Sequence, residues 1–188
     1  MNFPDKKYSI IYADPPWSYK VWSKKGDSGT AESHYPTMQK SDIQALPVQS
    51  ICEDNAVLFL WVTAPCLQEG IDLCRAWGFT YKTIGFVWAK RNKKTPSWFW
   101  GMGYWTRANV ELCLIATKGK ISRVAKNVHQ IIDTPISRHS EKPNEVRERI
   151  VRLMGDLPRI ELFARQRVDG WDAWGNEVES DVKQEEGI

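Results

Sequence analysis

The sequence predicts a three-layer α/β domain with a mostly parallel central sheet. Short apolar runs alternate with amphipathic helical stretches, and prolines and glycines separate them. The chain has 188 residues, which suits one core, and its 42% hydrophobic and 26% charged residues exclude a wholly disordered protein. In sheets of this class, ligands bind beyond the carboxyl ends of the strands.

The first apolar run, Tyr8–Ala13, is bounded by Asp14-Pro15-Pro16. Since proline cannot continue a central strand, this run predicts a buried strand with Asp14 at its carboxyl end. The next stretch, Ser18–Ser33, is rich in Lys, Gly and Ser, which predicts a mobile loop. A short helix is expected at Ser41–Leu46, with the serine as its N-cap.

The middle of the chain alternates between strand and helix. The continuous apolar run Ala56–Val62 suits a strand that is covered on both faces. An amphipathic helix is predicted at Pro65–Trp77, with Gly78 as its stop. Two further strands follow, at Tyr81–Trp88 and Val110–Ala116, and a long basic and aromatic loop joins them.

The last third of the chain predicts one helix and one strand. Pro143 lies in the first turn of an amphipathic stretch that Gly155 ends. Arg159–Ala164 is then a buried strand, and Arg165 follows it. In a parallel sheet, Arg165 would therefore lie at the same edge as Asp14.

Charge is distributed unevenly along the chain. Segment 177–188 holds five acidic residues and one lysine, and it is predicted to be an acidic, disordered tail of the single domain 1–176. Without it, the body has 25 basic and 18 acidic residues, a net charge of +7. A basic body suits a polyanionic partner such as nucleic acid, although small basic domains are common. No apolar run approaches the roughly 20 residues of a membrane helix, and no secretory signal is predicted.

Cysteine, histidine and tryptophan are the other informative residue types. The four cysteines form no CxxC pair and there are three histidines, so no metal site is expected. The cysteines are predicted to be reduced core residues of a cytoplasmic protein. Ten tryptophans are more than a core of this size absorbs easily, which predicts that some line a cleft or contact flat ligands.

The strongest chemical signal is Asp14-Pro15-Pro16-Trp17 after the first strand. The exocyclic amine of a nucleobase is a poor nucleophile because its lone pair is delocalised into the ring. A carboxylate and a backbone carbonyl that accept its two N–H bonds would favour a pyramidal nitrogen, and an aromatic ring would hold the extracted base. Methyl transfer from a sulfonium then requires mainly positioning and charge complementarity. Taken alone, the motif is also compatible with an ordinary turn at a strand end.

Several other motifs follow this turn in a fixed order. They are His34-Tyr35-Pro36-Thr37-Met38, Leu58-Phe59-Leu60-Trp61-Val62-Thr63, Trp77-Gly78-Phe79, Gly103-Tyr104-Trp105, Glu111-Leu112-Cys113-Leu114, Lys142-Pro143-Asn144-Glu145, Ile160-Glu161-Leu162-Phe163-Ala164-Arg165 and Gly175-Asn176. With Ala13-Asp14-Pro15-Pro16-Trp17, they make the sequence from about Tyr8 to Glu177 resemble the MT-A70 adenine-N6 methyltransferases. The resemblance implies a Rossmann-like methyltransferase fold and S-adenosylmethionine as the methyl donor.

The resemblance also implies roles for individual residues. Asp14 and Pro15 would hold the target amine, and Pro16 and Trp17 would shape the base slot. Lys142 would contact the methionine part of the cofactor. The full set of cofactor residues implied is Ala13, Asp14, Lys142, Arg165, Arg167, Asn176 and Glu177. The later members of this set would lie near the ribose or the adenine.

Two positions depart from the family's pattern. Arg167-Val168 stands where many members have His-Asn, and Glu177 stands where Gln often follows the Asn. A glutamate can still accept hydrogen bonds from ribose hydroxyls. The GxGxxG fingerprint of dinucleotide folds is absent from the sequence, which counts against a nicotinamide enzyme.

Two loops and one strand residue are predicted to contact the target. Basic and aromatic residues alternate in Ser18–Ser33 and in Lys90–Arg107, which suits phosphate contact and base stacking. The alternative is a set of solvated lysines around a hydrophobic loop anchor. The predicted substrate-side residues in these loops are Tyr19, Lys20, Trp22, Trp100 and Trp105. The resemblance implies that Trp105 and Glu111 lie at the substrate side. The acid at 111 has a second interpretation, since a lone acid on an apolar strand is often paired to a core Arg.

The predicted function is S-adenosylmethionine-dependent methylation of adenine N6 in nucleic acid. DNA is favoured over RNA because the sequence has no zinc finger, RNA-recognition repeat or separate target-recognition domain. RNA adenine methylation, cytosine-N4 methylation and a catalytically silent partner subunit are the alternatives, and the intact Asp14-Pro15-Pro16-Trp17 motif argues against the last. A homodimer or a partner subunit is left open, because so little protein would otherwise span a duplex.

Overall fold

The computed structural model describes residues 6–17, 38–103, 105–137 and 141–181. Within them, seven strands form one sheet: β1 Tyr8–Ala13, β2 Cys52–Val62, β3 Thr80–Arg91, β4 Val110–Lys118, β5 Ile131–Pro135, β6 Arg159–Leu162 and β7 Asp172–Trp174. The α-helices of these residues are α1 Lys40–Ala45, α2 Leu67–Ala76 and α3 Glu145–Met154. Short 3-10 helices at Val48–Ile51 and Ala64–Cys66 lead into β2 and α2.

The strand order is β5-β3-β4-β2-β1-β6-β7. Of the seven strands described, β4 alone runs antiparallel to its neighbours β2 and β3. All the other pairs are parallel. The carboxyl ends of six strands therefore meet the amino end of β4 at one edge of the sheet, here called the carboxyl edge. This arrangement confirms the predicted α/β fold with a mostly parallel sheet.

The two faces of β2 pack against different helices. Leu58 and Leu60 belong to the core cluster that contains residues of α1 and α2. Phe59 and Trp61 belong to the cluster that contains residues of α3. Because both faces of the strand are covered, its sequence from Ala56 onward is continuously apolar rather than alternating. The helices on either side of the sheet give the three predicted layers.

Some element boundaries differ from the sequence prediction. The N-cap of α1 is Gln39 rather than Ser41. Helix α3 begins at Glu145, two residues after Pro143, and Gly155 ends it with a φ of 87°. Strand β6 stops two residues early because Phe163 has a φ of 62°, a left-handed conformation that extended strands do not contain.

Two strands and a hairpin were missed by the sequence prediction. β5 and β7 are short and lie at the two edges of the sheet, so neither has the long apolar run of a central strand. The predicted loop at Lys90–Arg107 begins with the last two residues of β3. Its continuation folds back on itself, since Arg91 pairs with Trp98 and the Gly101 N–H donates to the Ala108 carbonyl at 2.7 Å. We call the described residues 92–103 and 105–109 the aromatic hairpin. The predicted loop Ser18–Ser33 lies outside the described residues.

Candidate active site

The turn after β1 is held in place by two hydrogen bonds of Trp17. Its backbone N–H donates to the Pro15 carbonyl at 2.8 Å, and its indole N–H donates to the Trp61 carbonyl on β2 at 2.8 Å. Trp17 is 9% exposed and packs in the core cluster of α1 and α2. Since two prolines also restrict the backbone between these bonds, the turn is a rigid extension of β1 that presents Asp14 at the carboxyl edge.

Asp14 belongs to a cluster of four charged side chains at the carboxyl edge. The Lys142 ammonium lies 2.6 Å from Oδ2 of Asp14 and 3.1 Å from Oε2 of Glu111. Lys90 forms an ion pair with the other oxygen of Glu111. The Lys142 side chain is only 5% exposed, and its ammonium lies 5.5 Å from the ring centroid of Trp61. The cluster is therefore largely shielded from water.

The strand order explains why these residues meet. Asp14 directly follows β1, and Lys90 is the second-last residue of β3. Glu111 is the second residue of β4, so it reaches the carboxyl edge only because β4 runs in the opposite direction. Lys142 lies in the segment before α3, and its ammonium completes the cluster by contacting Asp14.

The cluster sets the protonation states of its members. Burial alone would raise the pKa of Glu111, but Lys142 and Lys90 outweigh it and lower the pKa to about 2. Burial raises the pKa of Asp14 above its usual range, Lys142 opposes this shift and the Glu111 charge adds to it. Burial would lower the pKa of Lys142, but the two carboxylates raise it instead. Glu111 and Lys142 therefore stay charged near neutrality, and Asp14 is the member poised to exchange a proton.

The carboxyl ends of β6 and β7 form a wall beside this cluster. The Ala164 N–H donates to the Trp174 carbonyl at 2.9 Å. Gly175 lies so close that a Cβ there would be 2.3 Å from the Ala164 carbonyl oxygen. Arg165 and Glu177 extend from this wall and form an ion pair at 3.8 Å. The predicted cofactor residues Ala13, Asp14, Lys142, Arg165, Asn176 and Glu177 thus lie along one sheet edge.

Arg167 contacts the segment that follows this wall. Its guanidinium donates to the Glu179 carbonyl and to Oδ1 of Asp181, both at 2.7 Å. The other Asp181 oxygen accepts the Ala173 N–H at 2.8 Å. The first residues of the predicted tail, 177–181, therefore pack on β7 and on the loop after β6. Residues 182–188 lie outside the described part of the chain.

The aromatic hairpin continues from β3 beside Lys90. Trp98 anchors its base, because the Arg91 guanidinium stacks 3.5 Å from the ring centroid and both Asp133 oxygens hold that guanidinium. Trp100 is 60% exposed and Trp105 is 91% exposed. The two predicted substrate-side tryptophans of this hairpin are therefore on the surface. The others, Tyr19, Lys20 and Trp22, lie outside the described residues.

Sequence reasoning missed three charged residues near the site. Lys90 was assigned to a loop, although it pairs with Glu111 from the end of β3. Arg147 and Glu161 form a buried pair beneath the site, between α3 and β6. A signal was present in the sequence, since each of these two charges stands among the apolar residues of a predicted core face.

Among the residues described, the sheet is parallel except for one reversed strand. This arrangement places the chain in the class of Rossmann-like methyltransferases. The MT-A70 family model matches residues 8–177, and the chain belongs to that family. This confirms the membership that the motifs predict. None of the helices in the described ranges is long and apolar enough to cross a membrane.

Similar proteins come from very different organisms. The type II methyltransferase M.MunI of Mycoplasma sp is 39% identical over 94% of this chain and 80% of its own length. The N(6)-adenosine-methyltransferase MT-A70-like protein of Drosophila melanogaster is 28% identical over 92% of this chain. The human N(6)-adenosine-methyltransferase catalytic subunit METTL3 is 27% identical over 92% of this chain. The chain spans only 27% and 28% of the length of the fly and human proteins, respectively.

Proposed function

We propose that this protein transfers a methyl group from S-adenosylmethionine to the N6 amine of adenine in DNA. The observation that carries the proposal is the Asp14 carboxylate at the end of a rigid turn, next to the Pro15 carbonyl and within the Lys142–Glu111 charge cluster. Similarity to a type II methyltransferase over 94% of the chain supports DNA as the polymer. RNA is the alternative, which the similarity to N(6)-adenosine-methyltransferases supports.

Asp14 and Pro15 are the two proposed acceptors for the amine. Among the contacts of the described residues, Lys142 engages Oδ2 of Asp14, which leaves Oδ1 for one amine N–H. The Pro15 carbonyl accepts the Trp17 N–H with one lone pair, which fixes its direction and leaves the second lone pair for the other amine N–H. When the methyl group moves from sulfur to N6, the nitrogen must lose one proton. The nearest base described is Asp14, whose raised pKa suits it to accept that proton.

The residues at the carboxyl edge fit the proposed cofactor. When bound, S-adenosylmethionine supplies a methyl group on a cationic sulfur. The Lys142 ammonium would attract its carboxylate, and the polar side chains of Asn176 and Glu177 would face its ribose hydroxyls. Because Gly175 has no Cβ, its backbone can lie against that of Ala164. This close packing leaves space at the carboxyl edge for a ligand.

The aromatic hairpin is the proposed contact for the target strand. Exposed aromatic rings stack on unpaired bases of any sequence, and nearby cations bind the phosphates. Trp100 and Arg107 line one open pocket of the hairpin, and Lys93 and Lys94 are exposed on it.

The four cysteines are buried free thiols, which supports the cytoplasmic location predicted. A second copy or a partner subunit remains a prediction.

The test is methyl transfer from labelled S-adenosylmethionine to equal masses of single-stranded DNA, double-stranded DNA and RNA, with identification of the labelled nucleosides. We expect N6-methyladenine in DNA, and its loss in Asp14→Asn. Asp156→Asn is a matched control, because Asp156 is an 88% exposed carboxylate at the opposite end of β6. N6-methyladenine in RNA alone, or N4-methylcytosine, would overturn the assigned target. A wild-type protein that binds no cofactor would favour the silent-subunit alternative.

A further inference from the structure

A buried arginine of α3 contacts acceptors in two different segments. Arg147 is 6% exposed. Its Nε and Nη2 donate to the two carboxylate oxygens of Glu161, each at 2.7 Å, and its Nη1 donates to Oδ1 of Asn144 at 2.8 Å. The same Asn144 oxygen accepts a second hydrogen bond, from Nε2 of Gln166 at 3.2 Å. One guanidinium and one amide oxygen therefore join the start of α3 to β6 and to the loop after it.

Asn144 does not act as a helix cap, although it is the N-cap residue of α3. Its side chain makes no capping hydrogen bond, and its backbone is helical, with φ −59° and ψ −32°. An asparagine that caps a helix accepts a backbone N–H of the first turn and stabilises the helix. Here the side-chain oxygen is directed to Arg147 and Gln166 instead. The Asn144 side chain thus connects two segments of the chain and does not cap its own helix.

The two connected segments carry charged groups of the candidate site. Asn144 is two residues after Lys142, whose ammonium contacts Asp14. Gln166 directly follows Arg165, which pairs with Glu177 on the β6–β7 wall. The Gln166–Asn144 hydrogen bond, at an oxygen that Arg147 also holds, therefore connects the lysine segment to that wall.

We propose that Arg147 and Asn144 are positioning residues that set the spacing between the two ends of the cofactor site. This inference rests on the proposed function, in which the Lys142 segment holds the methionine part of S-adenosylmethionine and the Arg165 segment lies by its ribose. Neither positioning residue touches the ligand. A ligand that spans both segments gains its full affinity only when their spacing is correct, whereas a fragment that contacts one segment is insensitive to it.

Because Arg147 is paired with the buried Glu161, substitution of Arg147 is expected to destabilise the protein. Removing one partner of a buried pair leaves an uncompensated charge, so Arg147→Met is expected to unfold the protein or weaken it severely. Asn144 is exposed, and Asn144→Ala removes the oxygen that accepts from Arg147 and Gln166 but keeps the Arg147–Glu161 pair. Asn144→Asp keeps the oxygen that accepts from Arg147 and Gln166, and it is the conservative variant that should restore binding.

The experiment is titration calorimetry of the full chain with two probes. S-adenosylhomocysteine spans both segments, and 5′-methylthioadenosine lacks the amino-acid part. We expect Asn144→Ala to raise the Kd of S-adenosylhomocysteine by about 10-fold and that of 5′-methylthioadenosine by less than about 2-fold, because only the first ligand depends on the spacing. Asn144→Asp and the exposed α3 control Glu148→Ala should bind both probes like the wild type.

Two results would overturn the inference. An equal loss of affinity for both probes would show that Asn144 supports the fold in general, and an unchanged Kd for both would show that the spacing does not depend on it. A wild-type chain that binds neither probe would instead overturn the proposed function. The thermal unfolding midpoint of Asn144→Ala is measured in parallel, and we expect it to stay close to that of the wild type.

Discussion

The Lys142 ammonium and the Asp14 carboxylate lie 2.6 Å apart, although 128 positions separate the two residues in the chain. The same ammonium lies 3.1 Å from Glu111, so one cation is shared by two carboxylates that would otherwise repel each other. Lys90 supplies a second cation to Glu111. Because these charges are largely buried, the loss of one of them changes the protonation and the position of the others.

Glu111→Gln is expected to move the acidic limb of the pH–rate profile to lower pH. In the proposed reaction, Asp14 must be ionised to accept the amine, so activity is present above the pKa of Asp14 and is lost as the pH falls through it. The Glu111 charge helps to raise this pKa, and its removal also takes away one of the two carboxylates that Lys142 pairs with. We expect the limb of kcat/KM to shift to lower pH.

Lys142→Met should shift the same limb in the opposite direction. The lysine opposes the rise in the pKa of Asp14, so its loss raises that pKa further and activity then declines at a higher pH. The variant also removes the proposed contact of the cofactor carboxylate, so the profile is measured at saturating cofactor. A shift in the same direction for both variants would contradict the charge cluster as the origin of the acidic limb.

Trp17→Phe is expected to reduce both stability and turnover. The change removes the indole N–H that donates to the Trp61 carbonyl at 2.8 Å, and an unsatisfied buried carbonyl costs about 1–3 kcal/mol. Trp77→Phe is the matched control, since its indole N–H donates to the Ile43 carbonyl at 3.0 Å in a buried position away from the turn. Denaturant unfolding should show a loss for both variants, smaller for Trp77→Phe because the Ile43 carbonyl also accepts the Leu46 N–H at 3.3 Å. Only Trp17→Phe should lower kcat, by about 10-fold, because it alone loosens the Asp14 turn.

Gly175→Ala should weaken cofactor binding. An added Cβ would lie 2.3 Å from the Ala164 carbonyl oxygen and 2.7 Å from the Ala164 nitrogen, so the two backbone segments must separate. Gly155→Ala is the control, because it strains a φ of 87° at the end of α3, where the nearest atoms to a Cβ are 3.7 Å away. Both variants are expected to unfold at lower temperature. Equal Kd values for S-adenosylhomocysteine in the two variants would refute the role given to the wall.

Trp100→Ala should weaken nucleic-acid binding without destabilising the fold. Trp100 is 60% exposed, so its ring contributes little to the core. Loss of one stacking ring costs about 1–3 kcal/mol of binding free energy for single strands, and Trp100→Tyr should retain most of it. Fluorescence anisotropy with labelled DNA measures the change. If binding stays constant while the oligomeric state changes, the hairpin is a protein interface instead.

The central strands could be predicted from the sequence, whereas the edge strands could not. β2 is buried on both faces and is therefore continuously apolar, but β5 pairs with a single neighbour and keeps residues such as Ile131 exposed. The Asp14 turn was predictable because its chemistry lies in four consecutive residues. The contacts of Lys142 and Arg147 could not be predicted, since each depends on a strand order that places distant segments side by side.

The position of β1 in the sheet has a consequence for synthesis of the protein. β1 lies between β2 and β6, and Ile11 is paired with Leu58 on one side and with Ile160 on the other. β1 is synthesised well before β6, so its second side is covered only after the segments between the two strands have been made. Such distant pairings are slow to form because a long loop must close first. The nascent chain thus exposes an unpaired edge of β1 until β6 has been made, and such an exposed edge is prone to aggregation.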